Sequence, residues 1–443
     1  MRGLRSTLVL LLVLVGIVSY IYFVESKREP ASEETEKKER VFAVESAKIG
    51  GLTVRSSSGE TTVLAKQGGR WTVTAPEAMG ADETEVSGIT SNLASLEVQR
   101  VVETDPKDLG MFGLATPRIE VAFTVEGDAT TRHLLIGDKT ATGGDLYAKT
   151  GSAARVFLVP GWLESTFDRK TFDLRDKAVL KFERDKIDGL AVQSTGQTVR
   201  FAKADNAWRM TEPMAVRADF GTVEGVIGRL TTGQMKSIAA SGEVDLKTYG
   251  LDVPAHRVTL SAGSAQSSLF VGAKTPDGAY YARDASRPLV FIVDASLVDD
   301  LGKPAADYRL KDLFEFRSFS GDRFAVTRGD KTTVFEKQKG KEPDAAETWA
   351  QVQPAASVDE SKILDLLSKA SNLRAESFVD VLPAGAAEAA KIVARHGDSR
   401  KEETVVVYTA GADVLAVRPG EPGAAKIAAS EWNDALKLLD AVK

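Results

Sequence analysis

Apolar and polar residues form three kinds of pattern along the chain, and the first is an uninterrupted apolar run. Thr7–Val24 reads TLVLLLVLVGIVSYIYFV and follows Arg2 and Arg5. A helix of this length just crosses the hydrocarbon core of a bilayer, about 30 Å, and the arginines favour a cytoplasmic N-terminus. We predict an uncleaved transmembrane anchor at residues 1–24. A cleaved signal peptide is the alternative, although the run ends in aromatic residues and Val24 rather than small residues.

The second pattern is a polar segment that follows the apolar run. Glu25–Arg40 reads ESKREPASEETEKKER and is almost wholly charged and polar. Such a segment buries too little apolar surface to offset the entropy of ordering it. Residues 25–41 are therefore predicted to be a charged linker. Together with the anchor, it predicts a single-pass protein of the inner (cytoplasmic) membrane with most of the chain in the periplasm.

The third pattern is a repeat. Trp208 lies 137 residues after Trp71, Trp349 lies 141 residues after Trp208, and each tryptophan is followed five residues later by proline. An aspartate and an amphipathic helical stripe come next in each copy, which predicts a capped helix packed on a sheet. The aspartates are Asp82, Asp219 and Asp359, and the stripes are Val86, Ile89 and Leu93, then Val223, Val226 and Leu230, then Ile363, Leu366 and Ala370.

Further matches follow the helix in the first two copies. MFGLATP (111–117) corresponds to TYGLDVP (248–254), and LLIGDKT (134–140) corresponds to LFVGAKT (269–275), with alternating apolar residues between them that predict strands. FDLRDK (172–177) and YRLKDL (308–313) close these copies. The third copy lacks the aromatic-Gly-Leu motif, with Leu382-Pro383 near its place. It ends in a predicted helix in which Trp432 is expected at the position of Trp162.

The pattern predicts an α+β protein with three tandem modules, each an antiparallel sheet with a helix on one face. The predicted repeats are 42–177, 178–312 and 313–443. Each is long enough to bury a core of its own. The divergent third repeat is expected to cap the array.

These motifs resemble the bacterial domain of unknown function family 4340. The resemblance rests on the Trp-Pro element, the aromatic-Gly-Leu motif, the apolar-Gly motif and the closing Arg-Asp or Lys-Asp. It implies a membrane-anchored protein that carries the domain more than once and is often encoded beside ABC transporter components of the gliding-motility type. It implies no catalytic residues.

Composition narrows the possible partners. The chain is 43% hydrophobic and 27% charged, with a net charge of -6, so it carries no overall basic surface for a nucleic acid. It has no cysteine, which excludes disulfides, thiolate metal sites and a lipoprotein anchor.

Candidate chemistry is sparse. The histidines are His133, His256 and His396, at non-equivalent positions in different repeats. His133 and His256 have no acidic or histidine partner at metal-ligand spacing, and all three are expected to be surface or strand-edge residues rather than metal ligands. No nucleophile elbow or phosphate-binding glycine loop is present. GGDLY (143–147) and TPDGAYY (275–281) read as hairpin turns rather than calcium loops. We predict that the protein is not an enzyme, with no catalytic, cofactor-binding or metal residues and no cofactor.

Three sets of recurring residues allow two interpretations each. The repeated tryptophans are predicted to be core anchors, with sugar stacking as the alternative. The three aspartates are predicted to be helix caps rather than catalytic acids. Arg175-Asp176 and Lys311-Asp312 are either ion pairs that set the angle between repeats or solvated charged turns.

The expected function is therefore that of a periplasmic scaffold or accessory subunit of an ABC-type transporter or envelope complex, with other membrane or envelope proteins as partners. Recognition of a glycan or cell-wall polymer is the alternative. An enzyme is a third possibility that would require a cleft lined with convergent polar groups.

Overall fold

The computed structural model describes residues 39–151, 153–339 and 346–442. The predicted anchor and nearly all of the charged linker lie outside the described residues. Among the described residues, no helix is both long enough and apolar enough to cross a membrane.

The first module, residues 39–176, contains nine strands and three helices. In chain order these are β1 (Ile49–Arg55), β2 (Thr61–Gln67), β3 (Arg70–Ala75), β4 (Met79–Gly80), α1 (Glu83–Ser95), β5 (Arg100–Glu103), β6 (Ile119–Val125), β7 (Asp128–Lys139), β8 (Asp145–Thr150), β9 (Val156–Pro160), α2 (Leu163–Phe167) and α3 (Thr171–Leu174). A 3-10 turn at Leu109–Phe112 precedes β6.

The second module, residues 177–310, repeats this order. Its elements are β10 (Gly189–Ser194), β11 (Gln197–Ala204), β12 (Ala207–Glu212), β13 (Val216–Arg217), α4 (Phe220–Thr232), β14 (Ser237–Ser241), β15 (His256–Ala262), β16 (Ala265–Lys274), β17 (Tyr280–Asp284), β18 (Leu289–Val293) and α5 (Ala295–Asp299). A 3-10 turn at Leu246–Tyr249 precedes β15, and another at Ala305–Tyr308 ends the module.

The third module, residues 311–442, has the same strands and a longer closing helix. Its elements are β19 (Gly321–Arg328), β20 (Lys331–Gln338), β21 (Thr348–Gln353), β22 (Ala355–Ala356), α6 (Glu360–Ser371), β23 (Ala375–Val379), β24 (Ala387–His396), β25 (Lys401–Ala410), β26 (Asp413–Val417), β27 (Ala424–Ile427) and α7 (Ala429–Ala441).

The three sheets share one topology. The strand order is β4-β3-β2-β1-β6-β7-β8-β9-β5 in the first module, and the other two sheets repeat it strand for strand. All neighbours pair antiparallel. The first four and the last four strands of each module form two meanders, which are joined by the pairing of β1 with β6 or of their counterparts. In module 1, α1 connects β4 and β5, which are the two edge strands of the sheet, and α4 and α6 do the same in modules 2 and 3. The prediction of three antiparallel sheets is confirmed, and few helices accompany them.

The helices α1, α4 and α6, one in each module, are capped as the sequence predicts. The side chains of Asp82, Asp219 and Asp359 accept hydrogen bonds from backbone N–H groups of the first helical turn. The predicted stripes face the core, since Val86, Ile89 and Leu93 of α1 are completely buried. An aspartate that caps a helix stabilises it by about 1 kcal/mol, which accounts for these residues without catalysis.

At the start of each module, one residue forms an isolated β-bridge with the segment that follows α1, α4 or α6. Arg40 bridges Glu97, Ala178 bridges Gln234, and Asp312 bridges Arg374. These contacts place the module starts at residues 39, 177 and 311, slightly before the predicted repeat boundaries. The chain divides into two compact units at Asp176 and Lys177, with modules 2 and 3 together in the second unit.

The bridges correct one sequence correspondence. Ala81 bridges Arg175 in module 1, and Ala218 bridges Arg309 in module 2. The structural counterpart of Arg175 is therefore Arg309, not Lys311. The alignment of FDLRDK with YRLKDL is wrong by two residues because both segments place an arginine or lysine and an aspartate close together.

The two most distinctive motifs of the repeat contact each other. A Cβ atom on Gly137 would lie 2.1 Å from the backbone oxygen of Phe112, and one on Gly272 would lie 2.2 Å from that of Tyr249. Gly137 and Gly272 therefore have no room for a side chain beneath the aromatic-Gly-Leu loop. Both glycines lie at an irregularity inside a strand, so the apolar-Gly motif is a bulge and not a turn.

The same contact explains why the third repeat lacks both motifs. Val407 pairs with Ala416 as Ile136 pairs with Ala148, so Tyr408 occupies the position of Gly137. β25 pairs with β26 without a register shift. With no aromatic-Gly-Leu loop above it, this strand accepts a large side chain and needs no bulge.

Candidate functional site at the junction of modules 2 and 3

The strongest concentration of buried charge among the described residues lies where modules 2 and 3 meet. Arg217 on β13 is 9% exposed and donates from Nε to Glu421 Oε1 of module 3 at 2.9 Å. Its Nη2 also donates to the backbone oxygen of Asp312 at 3.0 Å. Burial lowers the pKa of Arg217, and the nearby positive charge of Arg418 lowers it further. One arginine therefore binds module 3 at two separate segments.

Arg309 makes the second connection across the junction. Its guanidinium carbon lies 3.8 Å from the ring centroid of Phe378 on β23, within the range of a cation–π contact. Its Nη2 donates to the backbone oxygen of Pro422 at 3.5 Å. Burial lowers the pKa of Arg309 also. Arg309 and Arg217 thus contact the same loop of module 3, between β26 and β27.

The charge network continues into module 3. Arg418 lies 3.7 Å from Glu421 and donates to Glu403 Oε1 at 3.1 Å. Glu403 is fully buried, and its Oε2 accepts the backbone N–H groups of Glu315 and Phe316 at 2.9 Å each. Arg418 also donates to the backbone oxygen of Leu313. The network ties the chain that enters module 3 to the loop that binds module 2.

An arginine of the same loop holds the entering chain in each module. In module 1, Arg155 pairs with Glu39. In module 2, Arg287 donates to the backbone oxygens of Ala178 and Val179. In module 3, Arg418 donates to the backbone oxygen of Leu313. These arginines could not be recognised from the sequence, because they stand at different positions in loops of different length.

Glu315, His396 and Glu403 are close enough to hold a metal ion, but their surroundings do not favour one. Glu403 already accepts from two backbone N–H groups and Arg418, and Lys401 lies 2.7 Å from Glu315. Burial opposes ionisation of Glu315, yet Lys401 brings its pKa below the usual value. The carboxylates are neutralised by cations, so they act as ion-pair partners rather than metal ligands.

The other two histidines each have a partner within their own sheet. His133 Nδ1 lies 3.0 Å from Glu120, which also binds Arg55. His256 Nδ1 lies 2.8 Å from Ser194 Oγ, and burial lowers its pKa.

The pair of Ser194 and His256 does not form a nucleophile and its base. Ser194 Oγ also lies 2.7 Å from the backbone oxygen of Leu301, which can only accept, so the hydroxyl proton points there. His256 therefore donates to Ser194 and cannot remove its proton.

The repeated tryptophans lie in the core, as predicted. Trp71, Trp208 and Trp349 are 7%, 2% and 4% exposed. Trp208 Nε1 donates to Glu224, and Trp349 Nε1 donates to the backbone oxygen of Ser318. The predicted hairpin turns are also confirmed, because β7 pairs with β8 around GGDLY and β16 pairs with β17 around TPDGAYY.

The expectation for Trp432 was wrong. Trp432 is 3% exposed and packs in the core from α7, whereas Trp162 is 62% exposed just before α2. When β18 and β27 are placed in register with β9, Ser296 and Ser430 stand where Trp162 does. Each serine lies three residues after the end of its strand.

The two interpretations of the charged module ends are resolved for Asp312. Its carboxylate pairs with Arg317 at 3.2 Å and with Arg374 at 2.7 Å, both in module 3. Arg175 pairs with Glu77 of its own module. Asp312 therefore anchors the start of module 3.

A chain of three like sheets is a repeat protein, and comparison with known proteins identifies its family. The family described as Domain of unknown function (DUF4340) matches residues 71–207 and 208–393. The chain belongs to this family. Each matched segment starts at a core tryptophan inside one module and ends inside the next. The family segment and the folded module therefore have different boundaries.

Other comparisons add nothing to this assignment. No curated protein matches the chain. A crystal structure of the DNA polymerase sliding clamp from Pseudomonas aeruginosa with ligand aligns with 87% of this chain and 93% of its own at 8% identity. Its TM-score of 0.17 is too low to indicate a common fold.

Proposed function

We propose that the protein is a non-catalytic, membrane-anchored periplasmic scaffold or accessory subunit that docks onto an envelope complex such as an ABC-type transporter. The apolar run at Thr7–Val24 and the charged linker after it support the tether. Family membership supports the repeated architecture. The transporter is proposed because of the resemblance described above.

One observation carries the proposal. Arg217 and Arg309 of module 2 are deeply buried and bind Glu421 and backbone oxygens of module 3 across the junction. Buried ion pairs with defined geometry specify one arrangement of the groups they join, and breaking one is costly. A surface spread over two modules held in this way loses little conformational entropy when a partner binds.

Each module also exposes one large apolar residue in the connection between its fifth and sixth strands, which are β5 and β6 in module 1. These residues are Met111, Val253 and Val381, which are 76%, 81% and 77% exposed. Single exposed apolar residues are common on proteins. The three residues stand at different positions of this connection, but the same connection carries an exposed apolar residue in all three modules, which makes them the best positions from which to trap a partner.

The test is photo-crosslinking in intact cells. A photoreactive phenylalanine analogue replaces Met111, Val253 or Val381 in the full chain, one at a time, and adducts are identified by mass spectrometry. Control chains carry the analogue at the hairpin tips, in place of Asp205 or Lys331, which are also exposed. We expect adducts with an integral membrane or envelope protein from at least one of the three positions and not from the controls.

Two outcomes would contradict the proposal. One is a set of adducts no different from those of the controls at all three positions. The other is a chain that fractionates with the cytoplasm when cells are disrupted, since such a location is incompatible with a periplasmic scaffold.

A further inference from the structure

Module 1 contains an open cavity of about 170 Å³ beside its exposed tryptophan. The cavity lies between the C-terminal end of α1 and the start of α2. Trp162, Leu163 and Pro160 line one side, and Asn92, Glu97 and Gln99 line another. An apolar ring thus stands beside polar side chains that can both donate and accept hydrogen bonds.

Hydrogen bonds fix the backbone on both sides of Trp162. Gly161 donates its N–H to the backbone oxygen of Gly144 at 2.9 Å. A Cβ atom on Gly161 would lie 2.7 Å from that oxygen, so only glycine permits this approach. Trp162 is the residue before α2, and the carbonyl of Trp162 accepts from Ser165 Oγ at 2.9 Å. The ring is therefore presented from a short connection that is fixed at both ends.

The polar groups in the cavity are largely unused. Asn92 Nδ2 donates to the backbone oxygen of Gly88, which leaves its side-chain oxygen available. Among the described residues, no hydrogen bond reaches the side chains of Glu97 and Gln99, and both are exposed. Together these side chains offer two amide groups and one carboxylate around the open ring.

The corresponding cavity of module 2 provides an internal comparison. It has the same volume, about 170 Å³, and is lined by Arg229, Gln234, Asp294 and Ser296 among others. Ser296 stands where Trp162 does, so this cavity has no aromatic ring. The feature that distinguishes module 1 is the exposed indole.

We propose that the Trp162 cavity is a subsite for one neutral pyranose ring of a glycan. A pyranose presents a face of C–H groups that packs on an indole, and its hydroxyls donate to carboxylates and exchange hydrogen bonds with amides. None of the residues that line the cavity is cationic, so an acidic sugar would face Glu97 without a counter-charge. A protein partner is less well matched, because three polar side chains of the site would be covered.

The tryptophans of the chain allow a selective measurement. The other four are 7%, 2%, 4% and 3% exposed, so a neutral quencher such as acrylamide reaches Trp162 preferentially. The purified full chain is titrated with cellotriose, N-acetylchitotriose or trigalacturonate. We expect at least one of the two neutral trisaccharides to protect the fluorescence from acrylamide, and trigalacturonate to give no protection.

Calorimetry on variants of the full chain completes the test. Trp162→Ala removes an exposed side chain and should leave the melting temperature unchanged while weakening neutral-sugar binding by about tenfold or more. Ser296→Ala, the matched change in module 2, should leave the affinity unchanged. The proposal is overturned if neither neutral sugar protects Trp162, if Trp162→Ala binds as tightly as the native chain, or if trigalacturonate binds equally well.

This site does not depend on the proposed scaffold role. Loss of sugar binding in Trp162→Ala with unchanged crosslinking at Met111, Val253 and Val381 would show two separate surfaces. A protein adduct formed through a photoreactive group at position 162, without any sugar binding, would assign the cavity to a protein partner and reject the glycan subsite.

Discussion

Two arginines of module 2 form similar ion pairs that differ in their exposure to solvent. Arg217 is almost fully buried and binds Glu421, whereas Arg200 forms a similar pair with Glu212 in which the side chains are 47% and 53% exposed. Water and salt screen the exposed pair, but the buried pair interacts in a medium of lower dielectric constant. The two arginines are therefore expected to differ in their contribution to stability.

Replacement of Arg217 by alanine should lower the free energy of unfolding of the second unit by about 3 kcal/mol, since it removes the hydrogen-bonded partner of the largely buried Glu421. The matched change Arg200→Ala should cost less than about 1 kcal/mol. Urea denaturation followed by tryptophan fluorescence measures both. Equal losses in the two variants would show that the junction pair is no stronger than a surface pair.

Tyr308 predicts a dependence of stability on alkaline pH. It is fully buried, its hydroxyl donates to the backbone oxygen of Asp300 at 2.8 Å, and burial raises its pKa from 10.0 to about 12, with Asp300 and Asp307 adding to the effect. The unfolded chain loses this proton near pH 10 and the folded chain keeps it. This contribution is therefore fully present below pH 10 and falls by about 3 kcal/mol as the pH rises to 12.

Tyr308→Phe isolates that contribution from the lysines, which titrate in the same range. The variant should be less stable by about 1 kcal/mol at neutral pH, because the hydrogen bond is lost. Between pH 10 and 12 its stability should decline less steeply than that of the native chain. Parallel declines, measured by denaturation at several pH values, would show that Tyr308 ionises equally easily in both states.

At the scale of single elements, two glycines differ in whether a neighbouring backbone leaves room for a side chain. Gly137 lies on β7 directly beneath the backbone oxygen of Phe112, and the bulge there allows the contact. Gly88 lies in the middle of α1, with no atom within 4 Å of a Cβ at that position. The first glycine is required by packing, and the second only lowers the stability of its helix.

Gly137→Ala should therefore destabilise module 1 by about 1 to 3 kcal/mol, because the new methyl group overlaps a backbone atom that cannot move without disturbing the 3-10 turn. Gly88→Ala should instead stabilise it by about 0.5 to 1 kcal/mol. Thermal unfolding of the two variants gives the sign of each effect. A Gly137→Ala protein as stable as the native one would mean that the loop can lift away from β7.

For the whole molecule, the division at Asp176 and Lys177 separates one module from a pair. Module 1 has its own core, from Phe42 to Leu174. Modules 2 and 3 are joined through Arg217 and Arg309, both more than nine-tenths buried. A buried arginine that loses its partners is strongly destabilising.

A fragment of residues 39–176 should therefore fold alone and unfold in one cooperative transition, and so should a fragment of residues 177–442. A fragment that ends at Leu310 should be markedly less stable or aggregate, because it exposes Arg217 and Arg309 without Glu421 and Phe378. Circular dichroism melting and gel filtration test all three fragments. A stable, monomeric 177–310 fragment would argue against a structural role for the junction.

Much of the local structure could be predicted from the sequence because it depends on neighbours in the chain. The capping aspartates, the helical stripes and the alternating strands of modules 1 and 2 follow from short-range periodicity and backbone hydrogen bonding. The core positions of Trp71, Trp208 and Trp349 follow from their fixed place in the repeat. The candidate sites did not follow, because Arg217, Arg309 and Glu421 come from three separate segments, and Trp162 and Asn92 are brought together by packing.

The sequence by itself determined that one unit occurs three times, with a capped helix and antiparallel strands in each copy. Only the tertiary structure decided where each copy begins, that the divergent third copy keeps all nine strands, and which tryptophan faces solvent. The physical reason is that a repeat has the same period wherever it is cut, whereas a module boundary is set by contacts such as Asp312 with Arg374, which join residues far apart in the chain.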